Sequence, residues 1–320
     1  MPFKLFAHGD RPHTERRSVL RRARAAWLCL GLLATGGEPA LADHPPAEAP
    51  FGSRVQQWYQ AGHFVSIRGL EVYYQTLGEG PPLLIIHGYP YSSYDFHRIL
   101  PSLAREHRVI LFDLPGMGFS AKPRDHDYSF AEYALVVNEL LTHLNIREAD
   151  LLTHDLGVSV AQELLARSAD NHFRIRSVAF MNGGLFTDVY RPRLIQRILS
   201  QSPSWFGGFI SRHLSRGMIE GSVLPLFGAR TRPSTELLDD WWEILDYRDG
   251  RSIAHLIGRL VFEKERHQTR WIAAMQGTSI PLAYLCGPAD PNSGTHMAAR
   301  FGQVLPDAKV YHLGAEIGHW

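Results

Sequence analysis

Three residues carry the chemistry open to this chain, and each follows a short apolar run. Asp155 stands in Thr153-His154-Asp155-Leu156-Gly157, between the run ending at His154 and a helix-period segment from Val158. An ionised carboxylate at such a junction is costly unless something stabilises it. Small–x–acid–x–Gly is the pattern of a strand–turn–helix elbow that aims its central side chain as a nucleophile, here aspartate instead of serine. Unsatisfied N–H groups and the positive dipole end of the following helix favour the ionised form. Simple capping of that helix is the competing explanation of Asp155.

Further residues bear on the choice. The loop His87-Gly88-Tyr89-Pro90 follows Leu83–Ile86 and can supply the Tyr89 N–H to an oxyanion, with the Leu156 N–H as second donor. Asp290 lies in CGPADP, after the run Pro281–Cys286, and His319 follows the run KVYHL near the chain end. A turn aspartate or one histidine among 17 proves nothing alone. The order acid, acid, histidine at successive strand ends is that of a hydrolytic triad. A carboxylate nucleophile suits attack on saturated carbon, giving an ester that His319, oriented by Asp290, hydrolyses with activated water. Epoxides and alkyl halides are the matching electrophiles. Halide release calls for N–H donors, which the Leu156 side chain lacks. Epoxide opening calls for an acid, and Tyr190 and Tyr247 are candidates, with plain packing as their alternative. The expectation is therefore epoxide hydrolysis of a small hydrophobic substrate. A dehalogenase, a serine-type esterase using Ser159, and a non-catalytic ligand-binding protein are the alternatives.

The elements that must position these groups are legible. Apolar runs at 83–88, 108–113, 150–154, 177–182 and 281–286 show little polar alternation and are separated by helix-period segments, one being Ser129–Leu144. That rhythm predicts a mostly parallel sheet flanked by helices. From Leu185 to Gly277 it breaks into helical pieces rich in Arg, Trp and Phe, which predicts a helical lid over the crevice at the strand ends. The expected division is an export signal at 1–42, a flexible linker at 43–56, core at 57–184 and 278–320, and a cap at 185–277.

The 320 residues carry a net charge of +1, but residues 1–42 hold seven Lys/Arg against three Asp/Glu, leaving a slightly acidic body with no nucleic-acid signal. Arg16-Arg17, an apolar run and Ala-Leu-Ala at 40–42 read as a twin-arginine-like export signal, implying a periplasmic or secreted protein. An uncleaved N-terminal anchor and an Arg-rich organelle transit peptide are the alternatives. No other membrane contact is expected. Only Cys286 lies beyond that leader, and HExxH, CxxC, GxGxxG and Walker patterns are absent, so no disulfide, metal or cofactor is expected.

With these residues in hand, the chain resembles the epoxide hydrolase and haloalkane dehalogenase branch of the α/β-hydrolase superfamily. Within it the likeness is to the mesoderm-specific transcript-like group, carried by HDLGVSVAQELLAR, NGGLF, RPRLIQRIL, FGARTRPSTELLDDWW and GPADP. The resemblance runs from about residue 57 onward and implies an α/β-hydrolase fold with an Asp155–Asp290–His319 triad. Two departures stand out. Leu156 replaces the aromatic residue usual in relatives, altering the expected pocket wall. Relatives also continue through a final helix, whereas this chain stops at Trp320, so His319 is expected to fray on an incomplete chain.

Overall fold

The apolar runs of the sequence become one nine-stranded sheet in a computed structural model that describes residues 43–47, 49 and 51–320. The strands are β1 (Asp43–His44), β2 (His63–Ile67), β3 (Leu70–Leu77), β4 (Pro82–Ile86), β5 (Arg108–Phe112), β6 (Glu148–His154), β7 (Arg174–Met181), β8 (Leu282–Cys286) and β9 (Lys309–His312). Their order is β1-β2-β3-β5-β4-β6-β7-β8-β9. The first three strands and the β3–β5 pair are antiparallel, and the rest, from β5 to β9, is parallel. The β2–β3 hairpin turns through Arg68 and Gly69, both at positive φ (54° and 77°), the two-residue turn whose twist matches its strands.

Helices cover the sheet: α1 (Ser53–Gln60), α2 (Leu100–Leu103), α3 (Phe130–His143) and α4 (Leu156–Ala166) precede β7. The N-terminus of α3 is capped by Ser129, whose Oγ accepts the Glu132 N–H at 3.2 Å. Between β7 and β8 run α5 (Leu194–Gln201), α6 (Ser204–Arg212), α7 (Arg216–Val223), α8 (Thr235–Asp246), α9 (Ala254–Gly258) and α10 (Leu260–Gly277), and α11 (Thr295–Val304) follows β8. No helix among the described residues is long and apolar enough to cross a membrane. The core lies where α3, α4 and α10 meet the parallel strands: Val160, Leu164, Phe180 and Trp271 are fully buried. Deleting one such side chain to Ala typically costs about 2–5 kcal/mol.

Two expectations need correction. The segment 43–56 is not a free linker: Asp43 and His44 pair with β2, and the Asp43 carboxylate accepts from Tyr74 Oη at 2.8 Å. Its last residues start α1, where Val55 is fully buried. Nor does His319 fray. Its N–H donates to the Leu226 carbonyl at 2.8 Å, and Trp320 packs on Tyr91, Phe227 and Trp241. A backbone bond and an aromatic clamp thus do the anchoring. The expected export signal lies outside the described residues.

Candidate active site

The elbow is built by close backbone approach. Asp155, between β6 and α4, has φ 50° and ψ −110°, a conformation costing about 1–3 kcal/mol for a residue with a side chain. Its N–H donates to the Asn182 carbonyl at 3.0 Å, tying the turn to the end of β7. Glycine is required on two sides. A Cβ on Gly88 would fall 2.3 Å from the Asp155 Cβ, and one on Gly157 would fall 2.3 Å from the Ile86 carbonyl oxygen. His87 pegs the neighbouring loop: its Nε2 accepts the Leu114 N–H at 2.9 Å and its Nδ1 reaches the Gly88 carbonyl at 2.8 Å. Burial holds its pKa below the ordinary value, matching that neutral, accepting role.

The two oxygens of Asp155 have different partners. Oδ1 accepts the Tyr89 N–H at 2.9 Å, and Oδ2 lies 3.4 Å from His319 Nε2. Leu156 follows as the first residue of α4, where an N–H lacks an intrahelical acceptor. Its side chain is buried in the core and does not line the cavity. On the other side of the imidazole, Nδ1 donates to Asp290 Oδ2 at 2.8 Å. Asp290 is fully engaged: Oδ2 also accepts from Ser293 Oγ at 2.6 Å and Asn182 Nδ2 at 2.9 Å, and Oδ1 accepts the Asn292 N–H at 2.8 Å. The structure therefore brings Asp155, Asp290, His319 and the Tyr89 N–H together.

Electrostatics follow from burial against pairing. Burial alone would push both carboxylates up. Hydrogen bonding and charge from His319 outweigh it, so Asp155 falls to about 2 and Asp290 falls well below its ordinary value. Burial lowers His319, but the Asp290 charge, the hydrogen bonds to Asp155 and Asp290, and the Asp155 charge raise it to about 10. The resting imidazole is thus protonated at neutral pH.

Several contributors escape sequence reasoning. His154 is pushed down to about 4, by burial first and then the His319 charge. Its Nε2 meets the His319 carbonyl at 2.8 Å, pinning the histidine backbone; only its place beside Asp155 hinted at a role. Asn182 joins β7 to Asp290 and, through Oδ1, to the Gly287 N–H at 2.7 Å. Lys264 of α10 is buried, its Nζ 4.8 Å from the Tyr190 ring centre. Burial lowers it to about 8 against the opposing Asp155 charge. A lysine in a helix-period stretch carries no signal of this.

A cavity of about 70 Å³ opens onto Asp155 and His319. Leu214, Met218, Ile219 and Val223 from the insertion wall it, with Arg193, Gln196 and Asn292 on a polar side. Tyr190 stands next to Gln196 and Asn292, beside the cavity and not in its lining, and burial followed by the charges of Asp155 and Asp290 raises its phenol well above the ordinary value. Tyr247 is elsewhere, a correction to its candidacy. Its ring packs on Phe51, Tyr59 and Phe119, and its Oη is 3.3 Å from Tyr59 Oη. Left-handed Arg248 and Asp249 turn the chain after α8, and the aromatic cluster takes the ring. Ser159 is fully buried inside α4 and lines no part of the cavity. No group of three or more His, Cys, Asp or Glu among the described residues could hold a metal ion.

A parallel sheet whose strand ends present an acid elbow, a second acid and a histidine defines the class: an α/β-hydrolase-fold protein. The chain belongs to the alpha/beta hydrolase fold family, whose model matches residues 81–315, and it is a hydrolase of that fold. It is 36% identical over 324 residues to the mesoderm-specific transcript protein of Mus musculus, covering 95% of this chain and 93% of that protein. Among solved structures it is similar to the epoxide hydrolase CorEH, with TM-score 0.65 at 20% identity over 81% of this chain and 91% of that one. It is likewise similar to the haloalkane dehalogenase DbeA from Bradyrhizobium elkani, with TM-score 0.67 at 25% identity over the same shares.

Proposed function

We propose that the protein hydrolyses epoxides of small hydrophobic molecules through an ester on Asp155. The observation carrying this reading is the split carboxylate: Oδ1 rests on the Tyr89 N–H while Oδ2 faces His319 Nε2. Oδ2 attacks an epoxide carbon, the C–O bond breaks, and the leaving oxygen takes the Tyr190 proton. The raised pKa of Tyr190 keeps that proton in place at neutral pH. Esterification removes the Asp155 charge, one of the influences that hold His319 protonated, so the imidazole gives up its proton, which restores the Tyr190 phenol, and is left neutral as the base. His319 then takes a proton from water, and the hydroxide adds to Cγ of Asp155. The N–H groups of Tyr89 and Leu156 hold the oxyanion at Oδ1, each such donor being worth about 3 kcal/mol of barrier. Collapse expels the diol, which takes the proton from His319, and leaves the water oxygen in the Asp155 carboxyl group, whose remaining proton passes to His319 and restores the resting ion pair.

Epoxides are favoured over halides because the indole in the cavity wall, Trp320, already donates its N–H to Asp95 Oδ2 at 3.2 Å. Helices α5–α9 act as the cap that excludes bulk water, and residues 1–42 export the chain. The test is a single turnover in heavy-oxygen water followed by mass spectrometry of the Asp155 peptide, with Ser159→Ala run alongside. Label in the carboxylate and an unaffected Ser159→Ala are expected. Turnover without label, or activity abolished by Ser159→Ala, overturns the reading.

A further inference from the structure

The insertion presents an unusual face to solvent. On α5, Leu194 and Ile198 stand one turn apart, and on α6 Trp205 and Phe209 repeat that spacing at 76% and 58% exposure. Phe206 lies beside Trp205 with ring centres 5.6 Å apart, and α5 and α6 pack on each other. Between Val189 and Ile219 the sequence holds five arginines and no aspartate or glutamate. Arg216 is paired with Glu220 and Asp239, but Arg191, Arg197 and Arg212 are exposed and, among the described residues, unpaired with any carboxylate.

Exposed Trp, Phe and Leu rimmed by arginine on short amphipathic helices is the make-up of an interfacial anchor. We propose that α5 and α6 dock on an anionic lipid surface, their apolar side chains entering the acyl boundary and the arginines meeting lipid phosphates. A second copy fits this face less well, because two-fold pairing would set one arginine cluster against its own image. The membrane contact goes beyond what the sequence patterning predicted outside the leader. It also has a consequence for substrate. Gln196 of α5 lines the cavity that holds Asp155, so one of the two docking helices is itself part of the cavity wall. An apolar epoxide dissolved in lipid thereby has a direct path to the carboxylate, a step that rests on the catalytic reading while the docking does not.

The experiment uses the full chain with phosphatidylcholine vesicles, with and without an equal share of phosphatidylglycerol, carrying brominated acyl chains. The Trp205 contribution to quenching is the difference between the native protein and Trp205→Phe. Strong quenching is expected only with phosphatidylglycerol. It should weaken roughly a hundredfold in lipid concentration for Leu194→Glu/Phe209→Glu, with circular dichroism unchanged because both side chains are exposed. Arg191→Gln/Arg197→Gln/Arg212→Gln should weaken it by a similar factor. Trp205 emission indifferent to phosphatidylglycerol vesicles overturns the docking. So does a dimer in light scattering that Trp205→Glu dissolves, which assigns the face to a second copy. Quenching without turnover of a water-soluble epoxide overturns the substrate path alone.

Discussion

Replacing Asp155 by Asn tests the electrostatic logic of the site directly. The substitution keeps shape and removes one of the two charges facing the buried His319 imidazole. At the observed 3.4 Å between Nε2 and Oδ2, two unit charges attract by about 5 kcal/mol at an effective dielectric constant of about 20. That corresponds to about 3.5 pKa units. His319, held at about 10 in the native protein, should therefore titrate near neutrality in Asp155→Asn. Proton NMR of the histidine ring C–H signals across pH 5–11, with His319→Gln to assign the resonance, measures the midpoint. A midpoint within about half a unit of the native value would show that Asp155 does not hold the imidazolium, and the proposed switch of His319 from cation to base would be refuted. The same linkage governs stability. A group raised from 6.5 to about 10 contributes fully below 6.5 and loses that contribution as pH rises through 10. Urea midpoints should fall between pH 7 and 10 in the native protein, and less steeply in Asp155→Asn.

Gly88→Ala should cost at least about a hundredfold in turnover, because its Cβ would press the Asp155 side chain out of line; steady-state kinetics with a circular-dichroism melt separates this from unfolding. Tyr190→Phe should slow epoxide opening by about 10²–10⁴-fold while sparing a haloalkane substrate, since only the epoxide needs the proton. Equal losses on both substrates would reduce Tyr190 to packing.

Much of this arrangement is written locally. The elbow, the His87–Pro90 loop and the acid–acid–histidine order depend on residue types at strand ends, and the apolar runs that make those strands are contiguous. They are legible because backbone geometry at a strand–helix turn constrains neighbours in sequence. The two tyrosines show the limit. Tyr190 and Tyr247 look alike along the chain, yet one joins Gln196 and Asn292 beside the cavity and the other fills an aromatic cluster against α1. Their fates depend on packing across distant segments.

Residue identity and spacing, by themselves, determined the sheet, the acid elbow and the order acid, acid, histidine, because each needs only a short stretch to satisfy its own backbone. The tertiary structure decided the rest: which oxygen of Asp155 faces which partner, and that His319 is anchored by Leu226 and Trp320. It also decided that Lys264 is buried and that α5 and α6 leave apolar side chains exposed. Those properties come from desolvation and contact between segments far apart in sequence, and no local pattern encodes them.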